Sequence, residues 1–440
     1  MLVNLPTDPE VLAESLVSFV ELVGRDRWTK RLAHLNAEMN ASPFRWKIVA
    51  DYHWLEVAIE HLLGMMASEN RIPKDQTDEL ILTALKFAAT TVEVHARLSK
   101  KGKQLIEGRL RDALKADNGF APVYLELDLA QRLMDEGYDV EFPDIEGSGQ
   151  FDLLFAKGSF VGEVECKSQS ADAGRQIHRK DFYRFIETIT PALQDQLKAE
   201  RRELLVITLK ARLSPNMANQ AALRRVATAM LAKEGPNRIK SKDFHVERRA
   251  FDDTFPDFDL ESPGNFHRLC QNAFGQDVHA AGAVTEEGGC IVVMRSLKED
   301  DTSKPMLEAL RKAASQFSGK RPSFIAIQEH GIEAADLMLR HVRRRAGILS
   351  HALFFHYGAA HVNAVSVSAF GAVIEHDGRV GSPSFAIPNP QPKFPIDAAD
   401  AAPFLLSIAD QEFADIIGAP LPSPNISRFT FGNDDVVDAG

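Results

Sequence analysis

Residues 151–167 read FDLLFAKGSFVGEVECK, and the alternation within this stretch decides the fold. Successive side chains of a strand point to opposite faces, so period-two patterning marks a half-buried strand. Phe151 to Phe155 is predicted as one strand, Lys157-Gly158-Ser159 as a tight turn, and Phe160 to Lys167 as the next strand. In that last strand Glu163, Glu165 and Lys167 project together while Val164 and Cys166 project the other way. Asp152, one hairpin away, can bring its carboxylate close to that of Glu165.

Working outward, residues 122–136 (PVYLELDLAQRLMDE) open with proline at a helix-entry position. Val123, Leu127, Ala130 and Met134 form an apolar stripe there, and Gly137 ends the helix. Tyr138 to Phe142 is predicted as a short strand. Pro143-Asp144 with Gly147-Ser148-Gly149 makes the turn that follows. Downstream, a long helix is expected from about Ala173 to Glu200. The continuous apolar run ELLVITL at 203–209 then reads as a buried strand. The predicted order is α-β-β-β-α-β.

Residues 1–118 are expected to form a helical domain, because three segments there repeat apolar residues at i, i+3, i+4 and i+7. Trp28, Trp46 and Trp54 lie among Arg25, Arg27, Arg31, Arg45 and Lys47. Such a mixture can stack on bases. It is equally the pattern of a helical core with long cations lying over it, and that is the reading preferred here. Residues 119–249 are expected to hold the core domain and 250–440 a C-terminal α/β extension. In the extension CIVVMR, SFIAIQ and HALFFH read as strands, alternating with helices near Met306–Phe317 and Ile332–Arg345. VNAVSVSAF and GAVIEH read as an antiparallel pair. Arg343-Arg344-Arg345 is expected at a helix C-terminus, where cations suit the helix dipole. Phe251 to Gly264 reads as an acidic surface linker and NDDVVDAG as a loose tail.

The 440 residues are 45% apolar and 26% charged, as in an ordinary soluble globular protein. Three scattered cysteines with no CxxC pair exclude a disulfide framework or a zinc knuckle and fit a reducing compartment. The opening residues MLVNLPTDPEVLAESL lack the pattern of a secretion signal, and no uncharged run is long enough to span a bilayer. The expectation is a cytoplasmic protein that does not enter the membrane. The net charge is −11, yet Arg175 to Arg249 contains 17 Lys+Arg against 8 Asp+Glu, a balance of +9 that leaves −20 elsewhere. This stretch is either a phosphate-contacting surface or a solvated helix face.

Two carboxylates converging at Asp152 and Glu165 would suit Mg²⁺, with Mn²⁺ as a substitute, because a hard cation prefers a few carboxylate oxygens and retains water. Such an ion activates water and neutralises charge on a phosphodiester oxygen. Lys167 beside them can orient that water or stabilise added negative charge. Glu126, in the preceding helix, can supply or orient a further ligand, and Glu163 supports the same face. Other motifs are weaker. His53, Glu56, Glu60 and His61 share part of a helical face but read as its core edge. Ser318-Gly319-Lys320 lacks the first glycine of a phosphate-binding loop, no GxSxG or HExxH occurs, and His356 and His361 read as structural.

Asp152 and Glu165-Cys166-Lys167, set in an α-β-β-β-α-β order over about residues 120–210, resemble the PD-(D/E)XK nuclease superfamily, the restriction-endonuclease-like fold. The resemblance implies a metal-dependent nuclease. Asp152 and Glu165 would be its ligands, the backbone carbonyl of Cys166 would complete the shell, Lys167 would assist catalysis, and Glu126 would match the acidic residue many members carry on the first helix. It also implies a nucleic-acid substrate, DNA in preference to RNA, held by Arg175, Arg179, Lys180, Arg184, Arg201 and Arg202, and a homodimer as the form that cuts duplexes. Two features depart from the pattern. Gln150-Phe151, not proline, precedes Asp152, while the literal Pro143-Asp144 pair lies in the earlier turn. No Gln-xxx-Tyr pair follows the lysine. The alternative is a catalytically inactive scaffold or binding module of the same fold.

Overall fold

The computed structural model describes residues 1–397 except 4, 7, 70–71, 73–78, 197–200, 235, 257, 259–265, 276, 332–336, 338–339, 370–372, 375–379 and 382–383. The chain is a mixed α/β protein with two main sheets, and it divides into two compact units. One holds Met1–Met39, Val49–Ala171 and the described residues from Ser303 onward; the other holds Asn40–Ile48 and Asp172–Thr302. These units do not follow the expected boundaries at 118 and 249. Among the described residues no helix is long and apolar enough to cross a membrane.

The first unit begins with six helices, α1 (Pro9–Val23), α2 (Arg25–Ala41), α3 (Pro43–Tyr52, shared between the units), α4 (Trp54–Glu69), α5 (Glu79–Arg97) and α6 (Lys100–Ala113). Local sequence explains their ends. Asp8 caps α1 by accepting from the Glu10 N–H at 3.0 Å, and Ser99 caps α6 by accepting from the Gly102 N–H at 3.1 Å. Phe19, Trp28, Phe87 and Phe120 pack ring against ring at 5.5–6.4 Å between centroids. Trp28 is thus core, and Trp54 packs on Tyr124 at 5.5 Å, whereas Trp46 is exposed. This core continues without a break into α7 (Ala121–Asp135), which buries Val123, Leu127, Ala130 and Met134, and on to one face of the sheet. That continuity is why the helices are not a separate domain.

After α7 come β1 (Asp139–Glu141), α8 (Pro143–Glu146), β2 (Leu153–Lys157) and β3 (Phe160–Ser170), which form an antiparallel meander. The sheet then continues through β9 (Ser323–His330), parallel to β3, and β10 (Val362–Ala369), parallel to β9, and ends at β13 (Ser384–Pro388), antiparallel to β10. Its strand order is β1-β2-β3-β9-β10-β13. Val164, Cys166, Phe324, Ala326 and Ala364 face the core shared with α7. Ile325, Ile327, Val365 and Val367 face α13 (Ser303–Gln316) and α14 (Arg340–Phe355).

In this sheet the neighbour of β3 is β9. The expected last helix and strand of the core are α9 (Arg179–Gln196) and β4 (Arg202–Leu209), and both belong to the second unit. There β5 (Arg238–Lys240), β6 (Phe244–Ala250), β4, β8 (Gly289–Ser296) and β7 (His279–Val284) form a second sheet in that order. Leu205, Ile207, Val246, Val292 and Met294 face α9 and α10 (Ala221–Leu231). Leu204, Val206, Ile291 and Val293 face α11 (Phe251–Thr254) and α12 (Phe266–Phe274). An apolar run such as ELLVITL reports that a strand is buried on both faces, not which sheet it joins.

Three further expectations are corrected. HALFFH is the end of α14, with Leu349, Ala352 and Leu353 buried along one side, because a short apolar run does not distinguish helix from strand. Arg343-Arg344-Arg345 therefore lies inside α14, not at its C-terminus. The antiparallel partner of β10 is β13, while β11 (Val373–Ile374) pairs with β12 (Val380–Gly381). Much of the linker at 251–264, part of the helix expected at 332–345, most of GAVIEH and the tail lie outside the described residues.

Candidate functional site

Two glycines shape the hairpin that carries the site. Gly158 adopts φ +61° in the two-residue turn, a conformation that strains side chains other than glycine's. Gly162 pairs with Phe155, and a Cβ on it would lie 2.5 Å from the Phe155 ring. The ladder runs from Lys157↔Phe160 to Leu153↔Val164 and stops one residue short of Asp152, whose side chain reaches across to β3. Oδ2 of Asp152 accepts the backbone N–H of Cys166 at 2.7 Å. The N–H and C=O of one strand residue point to the same side, so the Cys166 carbonyl is also directed toward Asp152.

Lys167 shares a face of β3 with Glu165. Its Nζ donates to Oε1 of Glu165 and, at 2.8 Å, to Oε1 of Gln316 at the end of α13. Nε2 of Gln316 donates in turn to the carbonyl of Gln150 at 2.9 Å. One α13 side chain thus ties the lysine to the segment that presents Asp152. Glu163 is fully buried and serves a different purpose. It accepts from the Ser318 N–H at 2.9 Å and the Ser318 hydroxyl at 2.5 Å, and pairs with Arg321 at 3.3 Å. Its support consists of fixing the turn between α13 and β9.

Glu126 pairs with Nη1 of Arg109 at 2.8 Å, and Nη2 of the same guanidinium pairs with Asp144. Burial opposes the charge on Arg109, but Glu126 and Asp144 outweigh it and hold the group firmly cationic. Burial, then the charge of Asp152, pushes Glu126 well above the usual carboxylate range despite Arg109. Burial raises Asp152 to about 6, with the Cys166 N–H pulling the other way. Burial and then the charge of Asp152 raise Glu165 to about 8, against the pull of Lys167. The Cys166 thiol, buried beside these carboxylates, is also pushed well up and is no nucleophile. Four carboxyls therefore crowd a poorly solvated place that holds two cations, Arg109 and Lys167.

Oε2 of Glu165 is buried without a hydrogen-bond partner, although Oε1 is paired with Lys167. A buried carboxylate oxygen left in this way is costly unless something cationic or protic meets it. Among the described residues no group of three or more His, Cys, Asp or Glu side chains is arranged to hold a metal ion by itself. The donor set that fits a hard divalent cation is two carboxylates, Asp152 and Glu165, with the Cys166 carbonyl and water filling the rest. Glu126 would join that set only by leaving Arg109.

The cations expected beside the trio, four on the helix after β3 and Arg201 and Arg202 following it, fall in the other compact unit. Arg175, Arg179, Lys180, Arg184, Arg201 and Arg202 belong to the second unit, and the helix that covers the trio's face of the first sheet is α13. Arg179 pairs with Asp172 at 3.7 Å and Arg202 with Asp252 at 2.8 Å, while Arg184 and Arg201 are exposed. The reason is topological: after β3 the chain leaves the first sheet and builds the second unit before returning with α13. His53 and Glu56 are buried, with the partly buried Arg31 guanidinium 2.9 Å from Nδ1 of His53, while Glu60 and His61 are exposed, so the four lie across the edge of the core. Nε2 of His361 lies 3.1 Å from the Ala314 carbonyl, a structural contact.

Arg109, Asp144 and Gln316 were not legible as site residues. Arg109 is 17 and 35 positions from its two partners, and Gln316 is 149 from Lys167, beyond any local pattern. The Pro143-Asp144 pair gave a signal, but its position in a turn before β2 argued against it. Protein-family models and curated proteins were both compared with the chain, and neither gives a match.

Proposed function

We propose that the first unit is a divalent-cation-dependent nuclease that hydrolyses phosphodiester bonds, with DNA favoured over RNA. The observation that supports this reading is the Asp152 carboxylate on the Cys166 N–H, between Glu165 and Lys167, with Lys167 donating to Glu165. Topology adds support. With residues 172–302 taken as an insertion, α7-β1-β2-β3-α13-β9 follows an α-β-β-β-α-β order with β9 parallel beside β3, as a restriction-endonuclease-like core requires.

In this reading Asp152, Glu165 and the Cys166 carbonyl hold Mg²⁺ or Mn²⁺, which lowers the pKa of water and offsets charge on the scissile phosphate. Lys167, steadied by Gln316, donates to a phosphate oxygen or to the attacking water. Arg109 counterbalances Glu126 and Asp144, which keeps their charge from repelling the substrate. Two chains would together cut both strands of a duplex.

The test is cleavage of plasmid and linear DNA with Mg²⁺ or with EDTA, comparing wild type with Asp152→Asn and Lys167→Ala. Asparagine retains an acceptor for the Cys166 N–H and removes the charge. Activity that survives both substitutions refutes the assignment. A second reading, a catalytically inactive scaffold, is favoured by one feature: Arg109 and Lys167 already neutralise much of the carboxylate charge. Calorimetry separates the two, since a scaffold of this kind binds no Mg²⁺ at the trio.

A further inference from the structure

The second unit carries a row of polar and cationic side chains across the end of its sheet. In β5, β6, β4 and β8 the residues Lys240, His245, Thr208 and Arg295 are paired in sequence, Lys240 with His245, His245 with Thr208, and Thr208 with Arg295. Directly opposed strand residues share a face, so the four side chains stand side by side. The face is that of Leu204, Val206, Ile291 and Val293, which α11 and α12 cover. The row lies one step beyond that apolar patch, at the C-terminal ends of the parallel pair β4 and β8, where open sheets commonly take ligands. Arg238 stands on the same face, two residues before Lys240.

Thr208 is buried, and Arg295 also donates through a terminal nitrogen to the Phe274 carbonyl at 3.5 Å, so the available donors lie at the β5–β6 end of the row, on Arg238, Lys240 and His245. Nε of Arg295 donates to the Thr208 hydroxyl at 3.3 Å, which steadies the guanidinium along the sheet. Nε of Arg238 donates to Nε2 of His245 at 2.9 Å. Because a guanidinium only donates, Nε2 accepts, and the ring proton sits on Nδ1 as a further donor. Lys240 and Arg238 are exposed. The acidic residue on the face is Glu247, which pairs with Arg249 at 3.0 Å. Burial, and then the positive charge of Arg238, holds His245 below the usual histidine range, with Lys240 and Arg249 acting in the same sense and Glu247 against them.

We propose that the open end of this row, Arg238, Lys240 and His245, is a docking surface for the sugar-phosphate backbone of a nucleic acid. The argument is charge complementarity. Donors on two neighbouring strands, roughly 4.8 Å apart, present positive charge to phosphate oxygens without reading bases. The choice of a nucleic acid among polyanions rests on the nuclease reading of the trio; the surface itself does not.

The experiment measures binding of a fluorescein-labelled 20-base-pair duplex to the full chain by anisotropy, in EDTA so that no cleavage enters. Arg238→Ala/Lys240→Ala is compared with wild type and with Lys100→Ala/Lys115→Ala, which removes the same charge from α6 and the segment after it. The row variant is expected to bind about tenfold more weakly, and its slope of log affinity against log salt to fall by about 1.8, two contacts at about 0.9 each. The α6 variant should stay within about twofold of wild type, since salt screens charges that make no phosphate contact. Equal losses in the two variants, or no loss in the first, overturn the proposal. Wild type that binds phosphatidylserine vesicles and not the duplex also overturns it. Intact binding with no cleavage in Mg²⁺ leaves the row standing and removes the nuclease reading.

Discussion

Cation binding at the trio should expel protons, and the number expelled reports which carboxyls take part. With Glu165 raised to about 8 and Asp152 to about 6, at pH 7 the first is about nine-tenths protonated and the second about one-tenth, a sum of about one proton. The assay is isothermal titration of Mn²⁺ or Mg²⁺ at pH 7 in PIPES and in Tris, whose ionisation enthalpies differ, so that the difference in apparent heat counts the protons released. Burial and the charge of Asp152 raise Glu126 as well, so its entry into the shell would add to the count. The sign fixes the pH dependence. A carboxyl raised above its ordinary value is protonated below its folded pKa, so cation and proton compete there. Affinity should rise about tenfold per pH unit between about 6 and 8 and level off above. The same sign governs the metal-free protein, where the contribution of neutral Glu165 to stability is present below about 4.5 and lost as pH rises through about 8. Binding that releases no protons at pH 7, or that is equally tight at pH 6 and 8, refutes the arrangement of carboxyls described above.

Three substitutions test the surroundings of the site. Gln316→Ala removes the acceptor that steadies Lys167 and the donor to Gln150, and should lower kcat by about tenfold while Tm falls by no more than a few degrees. A loss of folding with no separate loss of kcat would show that Gln316 is structural. Glu163→Ala strips a fully buried carboxylate from Ser318 and Arg321 and should cost about 3 kcal/mol in urea unfolding; a cost under about 1 kcal/mol contradicts its anchoring role. Gly119→Ala places a Cβ 2.8 Å from both Oε1 of Glu56 and Nδ1 of His53 at a φ of +53°, and should cost about 1–3 kcal/mol by the same measurement, whereas a neutral result would show that this turn relaxes freely.

The hairpin that carries Asp152, Glu165 and Lys167 was readable because its signal is local. Period-two alternation fixed which of residues 160–167 share a face, and Gly158 fixed the turn and with it the register of β2 against β3. The apolar stripe of α7 was legible for the same reason at a period of 3.6. What was not legible is long-range. The run at 203–209 looks like the strand that should follow a helix, and nothing in its seven residues says that it pairs with β6 and β8 in place of β3. The assignment of the six cations of the 175–202 stretch to the site rested on the same inference, that α9 covers β3, whereas α9 belongs to the second unit. Arg109 escaped notice because a lone arginine on an amphipathic helix is ordinarily solvated, and only the fold brings Glu126 and Asp144 to it.

The position of the insertion explains how the first sheet tolerates it. The β3–β9 ladder is paired as far as Ser170↔His330, and the Ala171 N–H still donates to the His330 carbonyl at 2.9 Å, so the sheet is fully hydrogen-bonded before the chain departs. At the base of the second unit the Asp301 N–H donates to the Gly174 carbonyl at 3.0 Å, so the outgoing and returning strands of chain meet. Gly174 takes φ +83° there, and a Cβ on it would clash with the Asp301 backbone, which explains glycine at that neck. Ends that meet allow an insertion to be removed with little loop strain. Each unit also has its own apolar core. Replacing residues 172–302 with a Gly-Ser linker of about six residues, together with Phe44→Ser because Phe44 stacks on Tyr183 of the removed core, should therefore leave a first unit that unfolds cooperatively in urea. It should also retain cation binding at Asp152 and Glu165 while losing the docking row. A shortened chain with no cooperative transition would show that β3, β9 and α13 depend on the second unit for their fold, and the treatment of 172–302 as an insertion into a self-sufficient core would fail.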